Sequence, residues 1–306
     1  MKYLLLLSCL GFGWIGCKNQ VDSSSSPTKG RISILCDEAL KGIVEQEEQI
    51  FERDYPNSDV DILYVSDSML FKQFIFDSSE IIISSRKLNA EELGYLDKQK
   101  NLHPKIFPFA VSAIAFINSI NSTDSTLNYD SFINTLQGKD KQNSKTYVIE
   151  CANSGLAGAL MNFAQVKELP NGFYAQNSSL EVIDYVINHP KSIGIIDWSR
   201  VSDSDDPKAK ALLEKLNIIK INQPKDSIQY GYLRPYQYNL QDNKYPFTKT
   251  LYFISRSGKS DLGLGFASFI TGEIGQRILL KAGLLPIFQT DRLIELRSSS
   301  DPKVVR

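Results

Sequence analysis

Ile81-Ile82-Ile83-Ser84-Ser85-Arg86-Lys87-Leu88-Asn89-Ala90-Glu91-Glu92 decides the reading of the fold. Three consecutive isoleucines read as a short strand buried on both faces. Two serines and a cation end it, and Asn89 with Glu92 three residues later forms a capping box that opens a helix. The same order of strand, polar turn and helix recurs on both sides. Arg31 to Leu35 reads as a strand before an amphipathic helix over Leu40 to Tyr55, whose helical spacing is marked by Leu40, Ile43, Val44, Glu47, Ile50 and Phe51 and which Pro56-Asn57 stops. Val60 to Val65 precedes a helix over Met69 to Phe76, and Thr146 to Glu150 precedes one over Leu156 to Val166. Phe107 to Asn118 is a longer apolar stretch, Leu127 to Leu136 and Leu180 to Asn188 read as helices, and Ser192 to Ile196 as a strand. Ala209 to Leu216 and Ile218 to Ile221 repeat the pattern. Gln223 to Pro246 reads as an irregular return, Thr250 to Ser255 as a strand, and Leu264 to Ala282 as one final helix. Such alternation implies an α/β protein with mainly parallel sheets, flanking helices and right-handed crossovers.

The chain has 306 residues, enough for one large or two modest domains. Its formal net charge of −1 gives no global field for nucleic acid or an anionic membrane surface. An anion site would have to be built locally, from helix ends and hydroxyls.

The first residues read as a targeting segment. Met1-Lys2 is basic, Tyr3 to Leu10 is apolar, and Gly11 to Gly16 brings in small residues, which is the layout of a secretory signal peptide over residues 1–16. Trp14-Ile15-Gly16-Cys17 resembles a bacterial lipobox, with Trp14 where Leu is usual, so Cys17 is expected to carry lipid. Residues 17–29, with Ser23 to Ser26 and Pro27, are almost devoid of apolar side chains and read as a flexible tether. The expected location is the cell envelope, periplasm or cell surface, lipid-anchored to a membrane. Cys36 and Cys151 remain, and two cysteines make no disulfide framework; small buried residues at strand ends are the expected role.

Three turns after strands place small or hydroxyl residues at helix N-termini: Cys36-Asp37-Glu38-Ala39, Ser84-Ser85-Arg86, and Cys151-Ala152-Asn153-Ser154-Gly155. Ser66-Asp67-Ser68 is a fourth. Helix N-termini carry free N–H groups and a partial positive charge, and open α/β sheets bind ligands beyond the carboxyl ends of their strands. Each turn alone reads as a helix cap, and Arg86 alone as a surface ion pair. Together they make a candidate anion site.

Gly30-Arg31-Ile32-Ser33-Ile34, then Phe51 and Tyr55-Pro56, then Ile83 to Leu88, resembles the phosphate-binding proteins of bacterial ABC transporters, whose pattern is a strand, a Phe–Pro spaced helix end and an SSR-x-L turn. Ser192-Ile193-Gly194-Ile195, Tyr245-Pro246-Phe247-Thr248-Lys249-Thr250-Leu251-Tyr252, and Gly275-Gln276-Arg277-Ile278 with Gly283 and Pro286 continue the likeness in order over nearly the whole mature chain. The resemblance implies a two-lobed periplasmic-binding-protein type 2 fold. Residues 30–108 and 247–306 would form lobe 1 and residues 109–246 lobe 2. A small oxyanion, with phosphate as the leading candidate, would lie between the lobes, and lobe closure would signal to an ABC transporter permease. It implies a ligand set drawn from Asp37, Glu38, Ala39, Ser66, Ser84, Ser85, Arg86, Asn153, Ser154 and Gly155, in a monomer without cofactor or metal. It also places Cys36 and Cys151 one on each lobe, where a bridge would lock the cleft. Two departures stand out. Asp37-Glu38-Ala39 replaces Gly-Ser-Thr, and Glu150 falls where the family has an arginine. Asp37 can still accept the proton of a monohydrogen oxyanion if Glu38 turns away, with Arg86 supplying the cation; otherwise the acids meet a cationic or polyhydroxylated ligand.

An enzyme is not expected. Ser84-Ser85-Arg86-Lys87 contains the S-x-x-K string of penicillin-recognising acyl enzymes, but Lys249-Thr250 runs into Leu251 and Lys145-Thr146 into Tyr147, so no K-T-G accompanies it. His103 and His189 each precede proline and have no partner at triad or metal spacing. A sensing or protein-interaction relative is the other reading, with Tyr230, Tyr232, Tyr236 and Tyr238 as its surface.

Overall fold

The computed structural model describes residues 25–76, 79–140, 145–152 and 154–288. The expected signal peptide (residues 1–16), Cys17, most of the expected tether and Asn153 lie outside the described residues. In chain order the elements are β1 (Gly30–Asp37), α1 (Lys41–Asp54), β2 (Ser58–Val65), α2 (Asp67–Phe76), β3 (Ile81–Ser84), α3 (Ala90–Lys100) and β4 (Lys105–Ser119). These are followed by β5 (Thr126–Leu127), α4 (Tyr129–Leu136), β6 (Thr146–Glu150), α5 (Gly155–Ala164), β7 (Phe173–Gln176), α6 (Ser179–Asn188), β8 (Ser192–Asp197) and α7 (Pro207–Leu213). The last are β9 (Leu216–Ile218), β10 (Lys220–Ile221), α8 (Gln237–Gln241), β11 (Thr248–Ser255), α9 (Leu262–Thr271), α10 (Glu273–Lys281) and β12 (Leu285–Pro286).

The strand order is β2-β1-β3-β11-β4-β8-β6-β7, with β9 and β12 also on β4. Within each half the sheet is parallel, β1 with β2 and β3, and β6 with β7 and β8. Antiparallel pairing enters where the chain passes between halves. There β11 runs antiparallel to β3 and β4, and β4 antiparallel to β8. The long β4 belongs to both halves: Lys105 to Ala113 pairs with β11, and Ile114 to Ile117 with β8.

The apolar core divides at that crossing. Ala113 to Ile117, Phe132, Tyr147 and Phe247 belong to one cluster. Ile34, Phe51, Phe109, Ala110, Leu251 and Phe266 belong to another, and a smaller third joins Leu70, Phe74, Ile82 and Ile254. The molecule is thus two lobes joined through β4 and the Phe247–Leu251 return. Phe51 is fully buried, with edge-on contacts to Phe266 and Phe269 at ring separations of 5.2 and 5.3 Å. That burial is worth about 1.5–3 kcal/mol and pins α1 to α9.

Local signals behave as the sequence predicts. Asn89 Oδ1 accepts from Glu92 N at 2.8 Å and Glu92 Oε2 accepts from Asn89 N at 2.7 Å, closing the capping box. The expected helix over Leu264 to Ala282 is instead two helices. Gly272 is extended (φ −83°, ψ 177°), ending α9 and opening α10. The break lets Gln276 reach back, where its Nε2 donates to Ile270 O (2.7 Å) and Phe109 O (3.0 Å). The described end of the tether lies on lobe 1: Ser25 Oγ accepts from Leu262 N, and Pro27 lies so close to Gly265 that no side chain fits there.

Candidate functional site

The carboxyl ends of β1, β3 and β6 and the N-terminal ends of α2 and α5 meet between the lobes. Asp37, the last residue of β1, is 2% exposed. Its Oδ1 accepts from Ala39 N at 3.1 Å, which closes a single 3₁₀ turn over Glu38–Leu40. Its Oδ2 accepts from the Ser85 hydroxyl at 2.5 Å. Ser84 Oγ accepts from Arg86 N and stays within its own turn. On lobe 2, Ser154 caps α5: its hydroxyl accepts from Ala157 N (3.2 Å) and donates to Glu150 O (2.7 Å).

The two lobes touch at Gly155. A Cβ there would stand 2.5 Å from Ser85 Oγ, 2.8 Å from Asp37 Oδ2 and 3.3 Å from Asp67 Oδ1. The positive end of the α5 dipole therefore faces two carboxylates of lobe 1. Glycine is needed here for close approach of backbone to the opposite lobe.

Arg86 is fully occupied. Its two terminal nitrogens fork onto Glu92 at 2.9 and 3.0 Å, its Nε donates to Asp67 Oδ2 at 3.2 Å, and its guanidinium lies 3.4 Å over the Phe71 ring. Asp67 Oδ1 is buried without a hydrogen-bond partner among the described residues. Burial pushes the Asp67 carboxyl up to about 6, against the pull of Arg86 and with help from Asp37.

Glu38 is exposed, and its carbonyl accepts from Arg200 of lobe 2 at 2.9 Å. Glu150 is buried and its carboxyl is pushed up to about 7; burial dominates, Arg200 opposes it, and Asp37 across the cleft adds to it. Beneath these groups lies a fully buried ion pair, Lys249 Nζ to Asp197 Oδ2 at 2.6 Å. Asp197 Oδ1 also accepts from Ser112 Oγ, Ser199 N and Ser199 Oγ. Burial disfavours both charges, but each faces the other, so the carboxyl is held below and the ammonium above their ordinary values. A cleft of about 410 Å³ opens beside this cluster, lined among others by Ser85, Gly155, Phe163, Lys249 and Tyr252.

Of the residues singled out by sequence, Asp37, Ser85, Ser154 and Gly155 converge. Ala39 contributes its amide to Asp37. Ser66 is partly exposed and its hydroxyl lies 3.4 Å from that of Ser68, with no contact to the other turns among its hydrogen bonds. Cys36 and Cys151 are free thiols, so no bridge locks the lobes. Sequence reasoning missed Asp197 and Lys249. A lysine inside the alternating pattern Thr248 to Phe253, at a buried position, was the available signal. Among the described residues no group of three or more His, Cys, Asp or Glu could hold a metal ion, and no helix is long and apolar enough to cross a membrane.

Comparison with solved structures finds this architecture repeatedly. A Clostridium perfringens protein assigned as a phosphate ABC transporter substrate-binding protein, with phosphate bound, superposes with a TM-score of 0.68 at 20% identity, covering 85% of this chain and 100% of that one. An ABC-type phosphate transport receptor from Vibrio cholerae gives 0.62 at 14% identity, covering 84% and 100%. The regulatory domain of CcmR from Synechocystis PCC6803, in complex with 2-PG, gives 0.54 at 12% identity, covering 79% and 96%. At these identities the likeness establishes the fold. No curated protein matches. The sequence profile of the PBP superfamily domain matches residues 22–273, most of the chain, and the protein therefore belongs to that superfamily, in its two-lobed type 2 form.

Proposed function

We propose that this protein is the extracytoplasmic solute-binding component of an ABC-type uptake system, tethered through lipid on Cys17, and that its cargo is a protonated oxyanion, phosphate first among the candidates. The observation that carries the reading is the convergence of Asp37, Asp67, Ser85 and the α5 N-terminus at Gly155. A carboxylate offers about four acceptor sites. Asp37 uses two on Ala39 N and Ser85 Oγ, and Asp67 Oδ1 uses none. Two acceptors beside a helix N-terminus suit a ligand that is anionic yet still carries hydroxyl protons. A fully deprotonated oxyanion would leave both acids facing negative charge without a proton between them. Closure of the lobes on such a ligand is the hinge motion that a permease would read. That two of the matched structures are phosphate receptors by assignment supports the same choice of ligand.

The test is isothermal titration of protein from Lys18 onward, unfolded and refolded to strip carried ligand. Phosphate is expected to bind saturably and sulfate, which has no proton to donate at these pH values, to fail. Affinity should fall from pH 6.5 to pH 8 as phosphate loses a proton. Silence with phosphate in folded protein overturns the reading. One observation favours a second ligand class: four acids, Asp37, Asp67, Glu150 and Asp197, meet Arg86, Lys249 and Arg200, with Arg86 also neutralised by Glu92. An uncharged polyhydroxylated ligand fits that balance, and saturable binding of a neutral sugar by phosphate-silent protein would select it.

A further inference from the structure

Along β11, Thr248, Thr250 and Tyr252 are partly exposed while Lys249, Leu251 and Phe253 are buried. A lysine in an inward position costs several kcal/mol unless paired. Lys249 stands opposite Ser112 in the β4–β11 register, and both reach Asp197 at the end of β8. This pairing balances charge but leaves donors unmatched. An ammonium carries three N–H groups. Lys249 Nζ lies 2.6 Å from Asp197 Oδ2, which takes one of the three, and no second acceptor is found among the described residues. Asp197 Oδ1, in contrast, already accepts three bonds. Of the other cations nearby, Arg86 is spent on Glu92 and Asp67, Arg200 donates to the Glu38 carbonyl and keeps a buried Nε without a partner among the described residues but does not line the cleft, and Lys87 lines the cleft as an exposed side chain. Lys249 lines the cleft with Ser85 and Gly155, its buried Nζ lies beneath that wall, and its charge is felt by both Asp37 on lobe 1 and Glu150 on lobe 2.

We propose that Lys249, held against Asp197, is the cation that recognises the bound oxyanion, in place of Arg86. This rests on the oxyanion reading above. A ligand oxygen would take the N–H groups that Asp197 does not, as a point charge rather than a planar fork.

The test is phosphate titration of wild-type protein and of the double variant Lys249→Gln/Asp197→Asn, which replaces the ion pair with a neutral one of similar size and leaves net charge unchanged. The variant is expected to keep the wild-type circular dichroism and melting behaviour and to lose roughly 10- to 150-fold in affinity, the effect of one charged hydrogen bond. Lys191→Gln, at the opposite end of β8, should stay within about threefold of wild type. Wild-type binding with the double variant also within about threefold overturns the assignment alone, as does an equal loss in Lys191→Gln. Silence of wild-type protein toward both phosphate and sulfate overturns the oxyanion reading and the assignment with it. If the double variant does not fold, wild-type protein carrying isotope-labelled lysine decides. The Lys249 Cε signal should shift on phosphate saturation, and a stationary signal overturns the assignment.

Discussion

Gly155→Ala tests whether the two lobes meet as described. The substitution adds one methyl at the first residue of α5, where alanine is the better helix former, so lobe 2 itself should lose nothing. The methyl would stand 2.5 Å from Ser85 Oγ and 2.8 Å from Asp37 Oδ2, roughly 0.9 and 0.6 Å inside the 3.4 Å at which ordinary contact begins. A flexible surface side chain could yield that distance. Ser85 and Asp37 cannot do so freely, because both are buried and bonded to each other. Either the Ser85 hydroxyl turns away and a charged hydrogen bond worth about 1.5–3 kcal/mol is lost, or the lobes separate. In both cases the closed arrangement loses roughly 10- to 150-fold in population relative to open forms. Small-angle scattering should show a larger radius of gyration than wild type, while urea unfolding should show a loss no greater than about 1.5–3 kcal/mol, because opening relieves the clash. Ser85→Ala in the Gly155→Ala background removes the nearest clash and should restore part of the compact population, a non-additivity expected of groups in contact. A Gly155→Ala protein with the wild-type scattering curve would refute the reasoning, since the lobes could not then be in contact at that position.

Two further outcomes follow from buried polar groups. Glu47 on α1 is 1% exposed, neither carboxylate oxygen has a hydrogen-bond partner among the described residues, and burial raises its carboxyl from 4.5 to about 9. Folding therefore favours its neutral form, and the associated stability is complete below pH 4.5 and is lost as pH rises toward 9, by roughly 3 kcal/mol at pH 7. Urea unfolding of Glu47→Gln from pH 5 to pH 8.5 should lack this decline, so its stability relative to wild type should climb with pH; parallel profiles would contradict the burial of an unpaired acid. Gln276→Ala should cost roughly 1–3 kcal/mol in the same assay, because it removes buried bonds to Phe109 O and Ile270 O and a part-buried one from Phe288 N at once. A cost below about 1 kcal/mol would show that water replaces them.

The parts of the site that were legible in sequence are those set by neighbours along the chain. A cap needs a side chain and an amide three residues apart, so Asn89 with Glu92 and Ser154 with Ala157 could be found by spacing. Asp37 at the end of an apolar run was a visible anomaly for the same reason. Gly272 was less legible, because a single glycine does not by itself end a helix. The break depends on Gln276 finding Phe109 and Ile270, which sit far away or on the preceding helix. Arg86 looks like a free cation until Phe71, Asp67 and Glu92 close around it, and Lys249 looks like a surface residue until β11 turns it inward.

The residue order by itself determined that this is an α/β chain of strands followed by helices, with polar turns at helix starts, since hydrophobic period and capping act over a few residues. Only the tertiary structure decided which turns meet, which charges neutralise one another and which remain. Those outcomes depend on the crossing of β4 and β11, which brings Asp197 to Lys249 and Gly155 to Asp37 from distant points of the chain. Electrostatic energy falls with distance and rises with burial, and neither can be read until the chain has folded.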